Sequence, residues 1–305
     1  MKKIIKNKKM AYLISLFCMF LWGSAFPTVK LTYREMGINS KNYFAMILVA
    51  GLRFFTAGLI VVLLMYLFDR NNIKQLRTKF SYLIKLSLLV TFFGYLFFYI
   101  GTGNTSGMQA SIISASSTFL VVIFSHFFIV GEKFNKYKLI AIILGLTGTI
   151  IANINKGFSF NFSLTGEGFM FINAILMSLG TIYVKNFGAN ISSFASSAGQ
   201  LLYGSIPLIL VGYLGLNINL TISLKAILLI FYGGLISSIA FVLWYFILKE
   251  YKASEIAFLR LFIPFFGTFL SAIFLNENIN ISIIVGLIFV IIGIIIINKN
   301  NKSRE

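Results

Sequence analysis

Residues 253–298 read ASEIAFLRLFIPFFGTFLSAIFLNENINISIIVGLIFVIIGIIIIN. An apolar run containing Pro264 ends at the polar break Asn276-Glu277-Asn278, and a second apolar run carrying Gly286 and Gly293 follows. Residues 108–153 repeat the plan: a serine-rich apolar run, then Gly131-Glu132-Lys133, then a run with Ala141, Gly145 and Gly148. With Glu132 laid on Glu277 at an offset of 145, Ala141 meets Gly286 and Gly148 meets Gly293. A unit that recurs at a fixed offset marks an internal duplication. The rest of the chain is arranged around these two helix–acid–helix units.

Composition names the solvent. The chain is 58% hydrophobic and 11% charged, where soluble domains run near about 45–50% and about 25%. A water-soluble fold has no use for so much apolar surface, so lipid is the expected surroundings. Eight acids, one His and one Cys leave little for catalysis, for a metal or for a cofactor, and none of these is expected. Cys18, alone in an apolar run, has no partner for a disulfide. A net charge of +18 would suit nucleic acid if it formed a patch. Instead the basic residues lie in short clusters between apolar runs, the pattern that orients a membrane protein, so no nucleic-acid partner is expected.

Working outward from residue 253, ten apolar runs can be read, at about 11–30, 44–68, 81–100, 107–129, 137–153, 165–184, 193–215, 224–248, 253–275 and 281–297. Each is near the ~20 residues that cross a ~30 Å hydrocarbon layer as a helix. Backbone groups in lipid must be bonded within the segment, which rules out open strands. The Lys-rich start followed by an apolar run imitates a signal peptide, but nine more runs follow it, so the first is read as an uncleaved span.

Counting Lys and Arg sets the orientation. With the N-terminus placed in the cytoplasm, 18 of the 26 basic residues fall on inside segments and five on outside ones: Lys30, Arg34, Lys41, Lys156 and Lys225. Arg53, Lys85 and Arg260 lie within runs. This is a strong positive-inside bias with both termini cytoplasmic, including the basic tails 1–10 and 299–305. Five helices per half is an odd number, so the second half enters the membrane upside down. Val29-Lys30 and Val184-Lys185 then close matching helices on opposite faces. The expected fold is an all-α integral membrane protein, ten transmembrane helices as two inverted five-helix repeats, residues 12–153 and 165–298. Such repeats commonly carry a binding site near the midplane where they meet.

An apolar helix, a Glu, then a helix with small residues nine and sixteen positions on, occurring twice, resembles the EamA-type transporters of the drug/metabolite transporter superfamily. Leu21-Trp22-Gly23-Ser24-Ala25-Phe26 is similar to the opening of that family's first repeat. The family's proline thirteen residues before the Glu is present as Pro264 but replaced by Phe119 in the first half, which predicts a straighter helix there. The resemblance implies a multi-pass protein of the cell membrane that exports amino acids or related compounds.

The charges inside helices mark the candidate site. Arg53 lies about 14 Å and Arg260 about 12 Å from the nearest helix ends at 1.5 Å per residue, where an arginine costs at least ~2.5–3.5 kcal/mol. Each either holds a cargo or is tied off by carbonyls and hydroxyls of neighbouring helices. Pro264 has no N–H, so the carbonyl of Arg260 is expected to lose its helical partner; Pro207 does the same for Tyr203. Aligning Phe44-Ala45 with Phe194-Ala195 makes Tyr203 the counterpart of Arg53. The candidate substrate-binding set is Arg260, Arg53, Pro264, Tyr203, Trp22, Ser24, Tyr99 and Trp244, the aromatics either lining a cavity or facing lipid. A carboxylate would sit on the guanidinium, and the ammonium of an amino acid would take the freed carbonyl. The stripes Gly107, Ser111, Ala115, Thr118 and Ala141, Gly145, Gly148 are read as packing surfaces.

No Asp or Glu lies deep in a run, so no proton-carrying carboxylate is apparent, and facilitated diffusion or exchange stands beside proton antiport. The leading reading is a secondary transporter of a small organic metabolite, working by alternating access within the lipid bilayer. A lipid or lipid-linked sugar translocase would share the architecture. A membrane-embedded enzyme would need convergent nucleophile, base or metal ligands that this sequence does not offer. Composition sets neither the cargo nor the oligomeric state.

Overall fold

The computed structural model describes residues 5–132, 135–152 and 162–302. Lys2, Lys3, Lys133, Lys156 and Arg304, all counted for orientation, lie outside the described residues. Within them the chain is helical, with α1 (Lys8–Met36), α2 (Tyr43–Phe68), α3 (Phe80–Asn104), α4 (Gly107–Phe128), α5 (Lys136–Ala152), α6 (Leu164–Phe187), α7 (Ser193–Leu214), α8 (Leu224–Glu250), α9 (Ala253–Leu275) and α10 (Ile281–Lys302). Among the described residues eight of these, all but α5 and α10, are long and apolar enough to cross a membrane. Side chains set the ends. Asn7 accepts from the N–H groups of Lys9 and Met10 at the start of α1, and Ser106, Ser192 and Ser223 cap α4, α7 and α8 likewise. Gly37, at φ 69°, supplies the left-handed turn that ends α1.

The bundle turns polar and small residues inward and large apolar ones outward. Ser15, Thr28, Ser111, Ser178 and Ser238 are buried, their hydroxyls bonded to carbonyls three or four residues back. Leu63, Phe128, Leu210, Phe269 and Ile273 are all more than half exposed. Water would penalise that surface and lipid does not.

Helix pairing follows one rule. α2 packs along α7, α5 along α10 and α4 along α9; α1 packs on α8 and α9, and α6 on α3 and α4. Small residues allow the closest approaches. A Cβ at Gly212 would come within 2.5 Å of the Leu48 backbone, and one at Gly267 within 2.5 Å of Ser111 on the stripe of α4. Gly293 lies against the Ala141 carbonyl, where a Cβ would come to 3.1 Å. The loops between helices sort into two ends. Ser192 binds Gln75 and Asp69, and Tyr251 binds the Ile5 carbonyl, at the N-terminal end. Thr221 binds Met36, and Thr105 binds Glu167 at 2.5 Å, at the far end.

The two Glu residues that revealed the duplication do matching work at opposite ends. Glu132 accepts from the N–H groups of Ala253 and Ser254, at 2.9 and 3.0 Å, where α9 begins. Glu277 accepts from those of Gly107 and Met108, at 2.9 and 3.0 Å, where α4 begins. A carboxylate on two orphan N–H groups and the positive end of a helix dipole is a favourable pair. Each helix–acid–helix unit therefore caps the other.

Three helices depart from regular geometry at mid-length. α9 passes through a 3₁₀ stretch, Phe258–Leu261, just before Pro264. α4, expected to be the straighter of the two, is interrupted at Ala115 although it has no proline. Its irregularity is one residue against four in α9. Serines supply another cause: Ser117 donates to the Ser114 carbonyl at 2.7 Å, competing with the helical ladder. The Phe119 ring fills the space beside Gly145, where a Cβ would come within 1.7 Å of it. α3 widens to a π-helical stretch, Ser87–Gly94, and the Gly94 carbonyl accepts from Asn173 Nδ2 at 2.8 Å.

Candidate functional site

The irregular stretches face one another around a central cavity of about 60 Å³, narrower than the ~300–1,000 Å³ of open small-molecule sites, so a cargo enters only if the bundle widens. Helical spacing brings the lining together. Trp22 and Phe26 share a face of α1, Tyr95 and Phe98 a face of α3, and Phe241, Trp244 and Tyr245 a face of α8. α6 adds Asn173, Met177 and Thr181, while α2 adds Arg53 and α9 adds Arg260. Trp22 stands edge-on to Phe241 at 5.5 Å and to Trp244 at 5.6 Å.

The two arginines differ. Arg53 is tied off: Nε donates to the Gly233 carbonyl at 3.0 Å, one terminal nitrogen to the Tyr99 hydroxyl at 3.2 Å and the other to Ser237 Oγ at 3.1 Å. It joins α2, α3 and α8, the structural reading foreseen for a buried arginine. Arg260 is not tied off. It is 8% exposed, its single hydrogen bond is a long one of 3.5 Å to Thr181 Oγ1, and Nε has no partner. Its guanidinium lies over the rings of Trp22 at 5.7 Å and Trp244 at 6.0 Å. Among the described residues, the charges lining the cavity are these two cations, and no carboxylate lines it.

Of the eight sequence candidates, Arg260, Arg53, Trp22 and Trp244 line the cavity. Tyr99 stands one layer behind and holds Arg53. Ser24 does not reach the cavity; it accepts from Tyr232 and donates to the Leu21 carbonyl, tying α1 to α8. Pro264 is buried beside the lining residue Ile263. The 3₁₀ turn before it closes from the Phe262 N–H onto the Leu259 carbonyl, and Pro264 has no N–H to offer the Arg260 carbonyl. Tyr203 is also misplaced. Its hydroxyl donates to the Leu76 carbonyl at 2.9 Å and its ring stacks edge-on to Phe80, away from the cavity.

The register explains the error at Tyr203. Buried Gln200 lies 147 residues after Arg53, and Tyr245 lies 146 after Tyr99; Tyr245 donates to Gln200 Oε1 as Arg53 donates to Tyr99. The Phe-Ala match at an offset of 150 was fortuitous, and Gln200 is the residue that stands where Arg53 does. Tyr95, Asn173 and Thr181 were missed because nothing in an apolar run distinguishes an inward Tyr or Thr from the others.

An aromatic cavity holding two buried arginines inside a bundle of membrane-length helices suits a membrane transport protein. The EamA-like transporter family profile matches residues 9–154 and again 164–299, and the chain belongs to that family. The uncharacterized transporter YvbV of Bacillus subtilis is 26% identical over 100% of this chain and 96% of its own length. YoaV of the same organism, also an uncharacterized transporter, is 24% identical over 90% and 91%. A crystal structure covering 97% of this chain and 99% of its own superposes with a TM-score of 0.76 at 17% identity, a likeness of fold alone.

Proposed function

We propose that this multi-pass protein is a secondary transporter of the cell membrane, exporting a small organic metabolite by alternating access around the Arg260 cavity. Ten spans form two inverted five-helix repeats, residues 12–153 and 165–298, with both termini cytoplasmic. The pairing of α2 with α7, α4 with α9 and α5 with α10, the matched packing of α1 on α8 and α9 and of α6 on α3 and α4, and the reciprocal caps of Glu132 and Glu277 support the inverted arrangement. Arg70, Lys74, Arg77, Lys79, Lys136, Lys138 and Lys252 lie toward the N-terminal end against Lys30, Arg34, Lys41 and Lys225 at the other, which supports the orientation. Relatives named as transporters favour transport over catalysis.

One observation carries the reading: a buried guanidinium in a cavity, with an unpartnered Nε and no carboxylate to neutralise it. Such a charge is costly in a membrane unless it works. A carboxylate-bearing cargo, as an amino acid is, would pair with it through the bidentate fork. Counterflow in proteoliposomes with labelled lactate, succinate, leucine and phenylalanine tests this. At least one should show saturable exchange, lost in Arg260→Leu and lowered about tenfold or more in Arg260→Lys, which keeps charge but not the fork. Arg260→Leu protein that reaches the membrane and transports like the parent would sink the proposal.

A further inference from the structure

We infer that the cargo is a net organic anion, a monocarboxylate with an apolar body and no ammonium group. The inference rests on the reading of Arg260 above and narrows it. The charged groups at the cavity wall are Arg53 and Arg260, with no carboxylate to face a cationic cargo group. Two buried polar atoms at the wall that lack a partner, Arg260 Nε and Trp22 Nε1, are both donors. A site of cations and idle donors calls for a group that only accepts, and a carboxylate is that group.

An ammonium finds the opposite of what it needs. The expected acceptor, the Arg260 carbonyl, is a neutral dipole on the same residue that carries the guanidinium. Aromatic faces can also hold an ammonium, but those of Trp22 and Trp244 already carry the Arg260 guanidinium. What remains is neutral, the Oδ1 of Asn173 and hydroxyls such as Tyr95, which are weaker partners for an ammonium than a carboxylate. An ammonium a few ångströms from two guanidinium groups is repelled in a medium of low dielectric. The apolar part of the cargo has a place, since Phe26, Phe98, Phe241 and Ile263 cover the rest of the wall.

The chain supplies its own reporter. It contains two tryptophans, Trp22 and Trp244, and both line the cavity, so intrinsic fluorescence of the detergent-purified protein reads occupancy directly. Three probes share one branched body: 4-methylpentanoate, leucine and 3-methylbutylamine, of net charge −1, 0 and +1. 4-Methylpentanoate should shift the emission saturably, leucine should bind at least about tenfold more weakly, and the amine should give no saturable response. Arg260→Gln, checked for normal gel-filtration behaviour, should abolish the 4-methylpentanoate response. The ranking on the unaltered protein decides the matter even where the variant fails to fold. Leucine binding as tightly as 4-methylpentanoate, and through Arg260, would overturn the inference while leaving the Arg260 site intact. No saturable response to any probe would overturn both.

Discussion

At the residue scale, two arginines that look alike in the sequence are separated by their neighbours. Arg53 donates to three buried groups on two neighbouring helices, the Gly233 carbonyl and the hydroxyls of Tyr99 and Ser237. Removing it should therefore cost stability, about 1–3 kcal/mol by the usual penalty for orphaned buried groups. A lower melting temperature for Arg53→Met in detergent is the expected result, and an unchanged one would contradict the assignment. Arg260→Met leaves no carboxylate or carbonyl behind, so it should melt close to the parent while losing function. The sequence made the depth of both arginines plain, because 1.5 Å per residue converts position into depth. It could not tell which one was tied off, since that depends on Gly233 and Ser237, 180 and 184 residues away.

At the element scale, the motif Glu proves to be a cap that crosses from one half to the other. Glu132→Gln and Glu277→Gln keep one accepting oxygen, set an NH2 against the second N–H, and lose the charge at a helix N-terminus. Each should cost about 0.5–2 kcal/mol, and the two should be nearly additive because they sit at opposite ends of the bundle. Thermal melting of the two single variants and the double variant checks this; a double no worse than either single would contradict independent caps. Phe119 and Gly145 form a second coupled pair. Gly145→Ala should destabilise, and Phe119→Leu should restore part of the loss by vacating that space. The helices themselves were legible from hydropathy and length, and Glu132 and Glu277 were legible as equivalents. Their partners were not, because a carboxylate meeting N–H groups 121 and 170 residues distant leaves no local pattern. The break in α4 at Ala115 was also hidden, since proline is the sequence signal for a kink and here serines take its place.

At the scale of the whole molecule, the offset of 145 finds the two Glu caps, and the wrong offset at Tyr203 shows how far such a reading reaches. The halves keep step around Glu132 and Glu277 but not across the α6–α7 connection, so no single shift aligns every helix. The central claim is that the Arg260 cavity opens in turn to each side of the membrane. Cysteine accessibility tests it most directly, since Cys18 is the chain's one cysteine and is buried. On a Cys18→Ala background, a cysteine at Asn278 fixes the sidedness and should label with an impermeant maleimide from outside only. A cysteine at the cavity residue Met177 should label from either side, and saturating 4-methylpentanoate should slow both reactions. Labelling of Met177→Cys from one side alone, in vesicles of both orientations, would contradict alternating access at this cavity.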